Sequence, residues 1–369
     1  MDEFVGWLID IAPLPGLINA PQVQIDGTAH VLLVVVIFEA RLQEPVNCQD
    51  VQGVLHVVAV AERLVADRGL RGERDALGAH CHGAALLRPE HPSSAPAGVT
   101  VHYEPLGVVL AIMPWNYPLW QVIRFAAPAL MAGNTGVLKH ASNVPHSALY
   151  LDTVFTRAGF PDGSFTTILS GSGPIAGLME DRRIKAVTLT GSEPAGRAVA
   201  AQAGANIKPA VMELGGSDAY IVMASADLDT ATTTAVNARI SNNGQSCIAG
   251  KRFVVHQDVY DAFVELFVSK MSALVVGDPL NPETQVGPLA TERGRQEIAD
   301  LVDDARSHGA QILTGGIAPD MPGWFYQPTI VAGLKPGMRL VMEEAFGPVA
   351  SVYKVSSRDE AAAIANQTT

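Results

Sequence analysis

Gly107-Val108-Val109-Leu110-Ala111-Ile112-Met113 runs directly into Pro114-Trp115-Asn116-Tyr117-Pro118, and an apolar-periodic stretch from Leu119 to Met131 follows. The first run has the length and the branched side chains of a buried strand. Two prolines make the middle a loop, and the last stretch keeps a helical spacing until Gly133 stops it. Strand, loop and helix in that order are the unit of an α/β domain built on a mostly parallel sheet. The unit recurs downstream as strand Gly136 to Leu138, helix Ser147 to Ala158, strand Phe165 to Leu169, strand Ala186 to Thr190 and helix Pro194 to Ala203. A second series follows Gly215-Gly216, with strand Ala219 to Met223, helix Thr230 to Ser241, strand Phe253 to His256 and helix Val259 to Leu274. In the helix after Thr291, the residues Ile298, Leu301, Val302 and Ala305 recur at i, i+3, i+4 and i+7, which predicts one face packed on a sheet.

Working outward, residues 1–78 join no crossover rhythm and stand as an atypical N-terminal segment, compatible with a shifted reading frame or a misassigned start. Residues 79–215 read as one domain and residues 216–369 as a second. Asp359 to Gln367 begins a helical pattern that stops near Thr369 without a cap. The 369 residues carry 25 Lys and Arg against 37 Asp and Glu, a net charge of −12 that argues against nucleic-acid binding. Apolar residues at 48% and charged residues at 17% supply a buried core rather than a disordered chain. The longest apolar run, Val31 to Phe38, falls far short of the roughly 20 residues of a spanning helix, so no membrane partner is expected. The acidic start, Met1-Asp2-Glu3, is unlike a secretory leader, and a cytoplasmic location follows as an expectation. Cys48, Cys81 and Cys247 fit neither a disulfide framework nor a metal site.

Several residues have the chemistry of a site, each with a plainer alternative. Cys247 ends Asn242-Asn243-Gly244-Gln245-Ser246-Cys247, a polar turn that can present a thiolate to a carbonyl carbon, although an isolated cysteine is more often an inert core residue. Glu213 closes an apolar strand before Gly215-Gly216, where burial would raise its pKa and suit it to activate water. A carboxylate paired with a basic residue explains that position equally well. Asn116 lies at the carboxyl end of a strand, where open α/β sheets bind ligands, and its amide could donate to an oxyanion. Thr190-Gly191-Ser192-Glu193-Pro194-Ala195-Gly196 passes from strand to helix and could offer N–H groups to a phosphate, yet the G-x-G-x-x-G fingerprint is absent. Glu343-Glu344 alone would be a solvated acidic edge.

Together these pieces resemble the aldehyde dehydrogenase superfamily from about Val101 to Thr369, with weaker similarity back to about His80. The resemblance rests on Pro-Trp-Asn-Tyr-Pro at 114–118, Lys139 to Ser142, Thr-Gly-Ser at 190–192 with Gly196, Glu-Leu-Gly-Gly at 213–216, Gly-Gln-Ser-Cys at 244–247 and Glu-Ala-Phe-Gly-Pro at 344–348. Six motifs in the family's order outweigh the plainer readings of each. The resemblance implies an α/β fold in which a variant Rossmann cofactor domain is joined to an α/β catalytic domain. It implies NAD(P)-dependent oxidation of an aldehyde to the acid through a thiohemiacetal and a thioester. Cys247 would be the nucleophile, Asn116 with the Cys247 N–H the oxyanion donors, and Glu213 the base for hydrolysis. On the cofactor side it implies Trp115, Lys139, His140, Ala141, Ser142, Gly191, Ser192, Gly196, Leu214, Glu344 and Phe346. Ser142 stands where NAD-preferring relatives often carry a carboxylate, so NADP is the expected cofactor and NAD the alternative.

Trp-Gln-Val-Ile-Arg at 120–124 is similar to the succinate-semialdehyde dehydrogenases, which implies that Arg124 meets a distal carboxylate. A surface arginine paired with solvent is the alternative there. Glu213 separates the chain from CoA-acylating relatives. The resemblance also implies a homo-oligomer and several dozen residues beyond Thr369. Without those, an open sheet edge, an unfilled core and poor solubility are expected. An inactive remnant, or a nucleotide-binding subunit in a mixed oligomer, is the competing functional reading.

Overall fold

The computed structural model describes residues 86–94, 96 and 98–368. Val31 to Phe38, Cys48, Cys81 and the separate segment 1–78 lie outside them. The described residues divide into two units, one ending at Leu214 and the other beginning at Gly215. Among the described residues, no helix is long and apolar enough to cross a membrane.

In the unit that ends at Leu214, the chain runs through strand β1 (Val108–Met113), helix α1 (Trp120–Met131), β2 (Thr135–His140), α2 (Pro145–Arg157) and β3 (Phe165–Ile168). It continues through α3 (Ile175–Glu180), β4 (Ile184–Gly191), α4 (Glu193–Ala205) and β5 (Ala210–Leu214). All five strands pair in parallel, in the order β3-β2-β1-β4-β5. β1 is buried on both faces, and its alternation divides its side chains between two cores. Ala111 and Met113 join Val122, Leu138, Leu151 and Phe155 on one side. Leu110 joins Ile175, Met179, Leu189 and Val199 on the other. Gly133, at φ 83°, makes the turn that ends α1. Between β3 and β4 the chain crosses back over β1, so the direction of winding reverses at the β1–β4 boundary.

The second unit contains β6 (Asp218–Val222), α5 (Leu228–Ile240), β7 (Gly250–His256), α6 (Gln257–Ser272), α7 (Glu292–Ser307) and β8 (Gln311–Thr314). β9 (Thr329–Ala332), α8 (Arg339–Met342), β10 (Val349–Val355) and α9 (Arg358–Ala365) complete it. Its sheet has the order β6-β7-β10-β9-β8, with only β8 antiparallel to its neighbour. Side-chain caps start the helices: Asp227 accepts from Thr230 N–H at 2.8 Å and Thr291 from Gly294 N–H at 3.0 Å.

Two sequence expectations change here. The strand expected at Phe253 begins at Gly250, because Lys251 and Arg252, charges that normally mark a strand's end, are buried within it. The final helix is capped at both ends. Ser357 Oγ accepts from Glu360 N–H, and Asn366 N–H reaches the Ala362 carbonyl at 3.1 Å. The helix 175–180, the helix 339–342 and strands β8, β9 and β10 carry no clear periodic signal, and the sequence reading leaves them unassigned.

The predicted face of α7 is buried as expected, with Ile298, Leu301, Val302 and Ala305 all at 4% exposure or less. Leu301→Ala should therefore cost about 2 to 5 kcal/mol, whereas Asp300→Ala on the outer face should change stability by less than about 0.5 kcal/mol. Urea midpoints of the two variants measured side by side check this, and equal losses would contradict the packing.

Candidate active site

Parallel pairing puts the carboxyl ends of β1, β2, β4 and β5 along one edge of the first unit's sheet. Ligands of open α/β sheets bind outside those ends, at the point where the winding reverses. The register sets Ile112 of β1 between Lys139 of β2 and Leu189 of β4, with Glu213 of β5 beside Thr190. The segments that follow are Pro114-Trp115-Asn116, Ala141-Ser142, Ser192 and Leu214. Trp115 and Asn116 are half-buried and Ser142 is exposed.

Gly191 and Ser192 lead into α4, whose first turn has no side-chain cap, so its N–H groups remain available to an anion. Glu193, the acid in that turn, is drawn back along the helix by Arg197, whose Nε donates to it at 2.8 Å. Gly196 is buried against β5. A Cβ there would lie 2.4 Å from Leu214 Cδ2, so the glycine lets α4 settle onto the end of β5.

His140 is buried and serves the loop behind this edge. Nδ1 lies 2.9 Å from the Ala141 N–H and 3.3 Å from the Met113 carbonyl, and Nε2 is 2.8 Å from the Pro118 carbonyl, to which it donates. The ring thus ties the 114–118 loop to the end of β2. Burial lowers its pKa, against the opposing pull of the Pro118 carbonyl.

Glu213 departs from the buried carboxylate expected of it. Its side chain is 54% exposed and lies 3.6 Å from the Arg124 guanidinium, itself 38% exposed. Strand β5 ends the sheet with a mostly solvated face, so position at a strand's end does not here mean burial.

In the second unit, Ser241–Gly244 forms one turn of 3₁₀ helix before Cys247. Asn242, Asn243 and Gly244 all have positive φ, at 51°, 55° and 76°. Asparagine tolerates that region and glycine occupies it freely. A Cβ on Gly244 would also lie 2.3 Å from the Gly347 carbonyl oxygen, so only glycine fits. Polar side chains hold the turn. Asn243 donates to the Pro288 carbonyl at 3.1 Å and accepts from the Gly287 N–H at 3.0 Å. Gln245 accepts from the Ala290 N–H at 3.0 Å. Buried Arg239 donates to the Gly244 carbonyl at 2.6 Å, its pKa brought down to about 10 by burial and still a full cation at neutral pH. Cys247 is half-buried at the end of this scaffold.

Glu344 lies in the same unit. Its Oε1 is 3.1 Å from the Lys251 ammonium, and its Oε2 occupies the space that a Cβ on Gly215 would fill, at 1.9 Å. Phe346, two residues on, is half-buried.

A family model described as the aldehyde dehydrogenase family matches residues 74–369. The chain belongs to the aldehyde dehydrogenase family. It is 58% identical over 314 residues to succinate-semialdehyde dehydrogenase [NADP(+)] 1 of Mycobacterium ulcerans, across 84% of this chain and 67% of that protein. It is equally 58% identical over 315 residues to succinate-semialdehyde dehydrogenase [NADP(+)] of Mycolicibacterium paratuberculosis, covering 84% and 65%. Among solved structures it resembles succinic semialdehyde dehydrogenase from Streptococcus pyogenes in complex with NADP+, with a TM-score of 0.80, 33% identity, and 95% and 82% of the two chains covered.

Members of the aldehyde dehydrogenase family act on aldehydes, and two features of this chain fit the nucleotide such an oxidation needs. In the first unit it is the uncapped helix end at a topological switch point, and in the second, taken by itself, the space beside Gly215 is filled by the Glu344 carboxylate. The motifs do not point to Lys251 and Arg239. Their one sequence signal is a basic residue beside a polar turn, four residues after Cys247 in one case and eight before it in the other.

The lowered pKa of His140 has a consequence for stability. The unfolded histidine takes up a proton below about pH 6.5, and the buried ring resists it. Folding should therefore lose stability as pH falls from about 7 to 5, by at most about 1.4 kcal/mol per pH unit from this group. His140→Gln should flatten that slope in urea unfolding at the two pH values, and an unchanged slope would show that other groups set it.

Proposed function

We propose that the chain oxidises succinate semialdehyde to succinate with NADP. The observation that carries this reading is the Arg124 guanidinium, set on α1 beside Glu213 at the ligand-binding end of the first sheet. An arginine there gives a substrate with a distal carboxylate a bidentate partner. The identity to relatives named for this activity supports the same substrate.

In this proposal the unit ending at Leu214 binds the nucleotide and the unit from Gly215 carries the nucleophile. Cys247 attacks the aldehyde carbon as thiolate, and the Asn116 amide and the Cys247 N–H stabilise the oxyanion of the thiohemiacetal. The bound NADP supplies the acceptor for the hydride that leaves that carbon. Glu213 takes a proton from water, which adds to the resulting thioester and releases succinate and the thiol. Ser192, Gly191 and the first turn of α4 would hold the cofactor phosphates, and Glu344 would accept from a ribose hydroxyl. Trp115, Ala141, Leu214 and Phe346 complete the cofactor's surroundings, with Gly196 and His140 shaping them from behind. Lys139 and Ser142 favour the 2′-phosphate, since the end of β2 and the segment after it carry a cation and a hydroxyl and no carboxylate. A homo-oligomer belongs to the same reading, supported by β6, which has a pairing partner on one side only among the described strands.

Absorbance at 340 nm with succinate semialdehyde should rise faster with NADP than with NAD and not at all for Cys247→Ser. Glu213→Gln should give about one equivalent of NADPH and then stall, because acylation survives and hydrolysis does not. Arg124→Met should lower kcat/KM for succinate semialdehyde by roughly 10 to 100-fold more than for an uncharged aldehyde of equal length, which loses only what the Glu213 pairing contributes. Folded protein that makes no NADPH would overturn the enzymatic reading, and equal losses on both aldehydes would overturn the substrate.

A further inference from the structure

Lys251 sits inside β7 at 1% exposure. An ammonium that deep is costly unless its protons and its charge are met. Two of its protons have carbonyl acceptors, Cys247 at 2.7 Å and Ala249 at 3.3 Å, and its charge is met by Glu344, whose Oε1 lies 3.1 Å away as an ion pair. Neighbouring Arg252 is buried too, but it is spent on the carbonyls of Ser217, Ile364 and Ala365, far along the sequence from the thiol. Arg239 donates to the Gly244 carbonyl and feels the Glu344 charge without reaching the Cys247 carbonyl. Lys251 is thus the cation that joins the nucleophile's own backbone to the Glu344 carboxylate. Burial lowers its pKa, and the charge of Glu344 works against that shift. A volume-filling role would be met as well by methionine, without the desolvation cost of an ion.

We propose that Lys251 is a positioning residue that couples Glu344 to Cys247. When Glu344 turns a lone pair to the cofactor, its hold on the ammonium weakens, the ammonium tightens on the Cys247 and Ala249 carbonyls, and the thiol is set for attack. The coupling to cofactor rests on the assignment of Glu344 made above. The contact between Lys251 and the nucleophile's backbone does not.

Alkylation of Cys247 by iodoacetamide on the full chain, followed by peptide mass, tests this without aldehyde turnover. In the absence of cofactor, Lys251→Met and Glu344→Gln should each change the alkylation rate about threefold or more, and the double variant should add little to either single one. Additive effects, or a Glu344→Gln rate equal to that of the parent, would overturn the coupling. Glu344→Gln keeps the side chain's shape, so it decides the matter alone if Lys251→Met fails to fold. NADP should then change the alkylation rate of the parent but not of folded Lys251→Met, and an equal change in both would overturn the proposal. Parent protein that does not bind NADP, judged by nucleotide fluorescence, would count against the proposed function and leave the cofactor-free comparison to decide the role of Lys251.

Discussion

Because β1, β2, β4 and β5 run the same way, the segments that follow Met113, His140, Gly191 and Leu214 have to emerge along one edge of their sheet. Four stretches separated by up to 100 residues of sequence become neighbours by pairing alone, with no side chain needed to draw them together. The winding then decides where along that edge a ligand sits. With β2 and β3 laid to one side of β1 and β4 and β5 to the other, the crossover helices diverge at the β1–β4 boundary and leave a crevice. Trp115, Asn116 and the Gly191-Ser192 turn are what this boundary offers. The missing dinucleotide fingerprint matters little in that setting. Its glycines serve one tight turn, whereas here Gly196 answers a different demand, the seating of α4 on Leu214.

The second unit solves a harder local problem. Three successive residues lie in the left-handed region, and the two that are not glycine, Asn242 and Asn243, are held there at a cost of order 1 kcal/mol each. The surroundings over-determine the turn. Asn243 is bracketed by Gly287 and Pro288, Gln245 by Ala290, and the Gly244 carbonyl by a buried guanidinium. Three of these bonds fasten the turn to the segment 287–290 and the fourth comes from Arg239 on α5, so the turn is held from two directions at once. A side chain placed after such a turn, as Cys247 is, has little orientation left to lose.

Much of this was legible beforehand, and the boundary between what was and was not is physical. β1 reads as a strand because seven apolar residues end in a loop that two prolines enforce. The inner face of α7 reads as buried because its period is that of a helix. Strands β8, β9 and β10 are too short or too mixed for a period to form, and they depend on one another for pairing. Lys251 and Arg252 mislead for the opposite reason. Charge normally predicts solvent, and only tertiary contacts with the carbonyls of Cys247, Ser217 and Ile364 reveal that these two are satisfied inside. The exposure of Glu213 has the same origin, since a strand's sequence does not say whether it closes a sheet or lies within it.

The charge distribution resolves an apparent conflict. A chain at −12 is proposed to take an anionic substrate and a more strongly anionic cofactor, both of which its net charge repels at long range. At physiological ionic strength that repulsion fades over about 8 Å, so the groups within a few ångströms of the ligand decide binding. Those groups are of two kinds. Arg124, already 3.6 Å from Glu213, and Lys139 stand where solvent still reaches, within range of an anion that displaces water. Arg239 and Lys251 are buried, already bonded to backbone, and unavailable to any ligand directly. The exposed cations can therefore select what binds, while the buried ones hold the thiol turn in one shape whatever is bound.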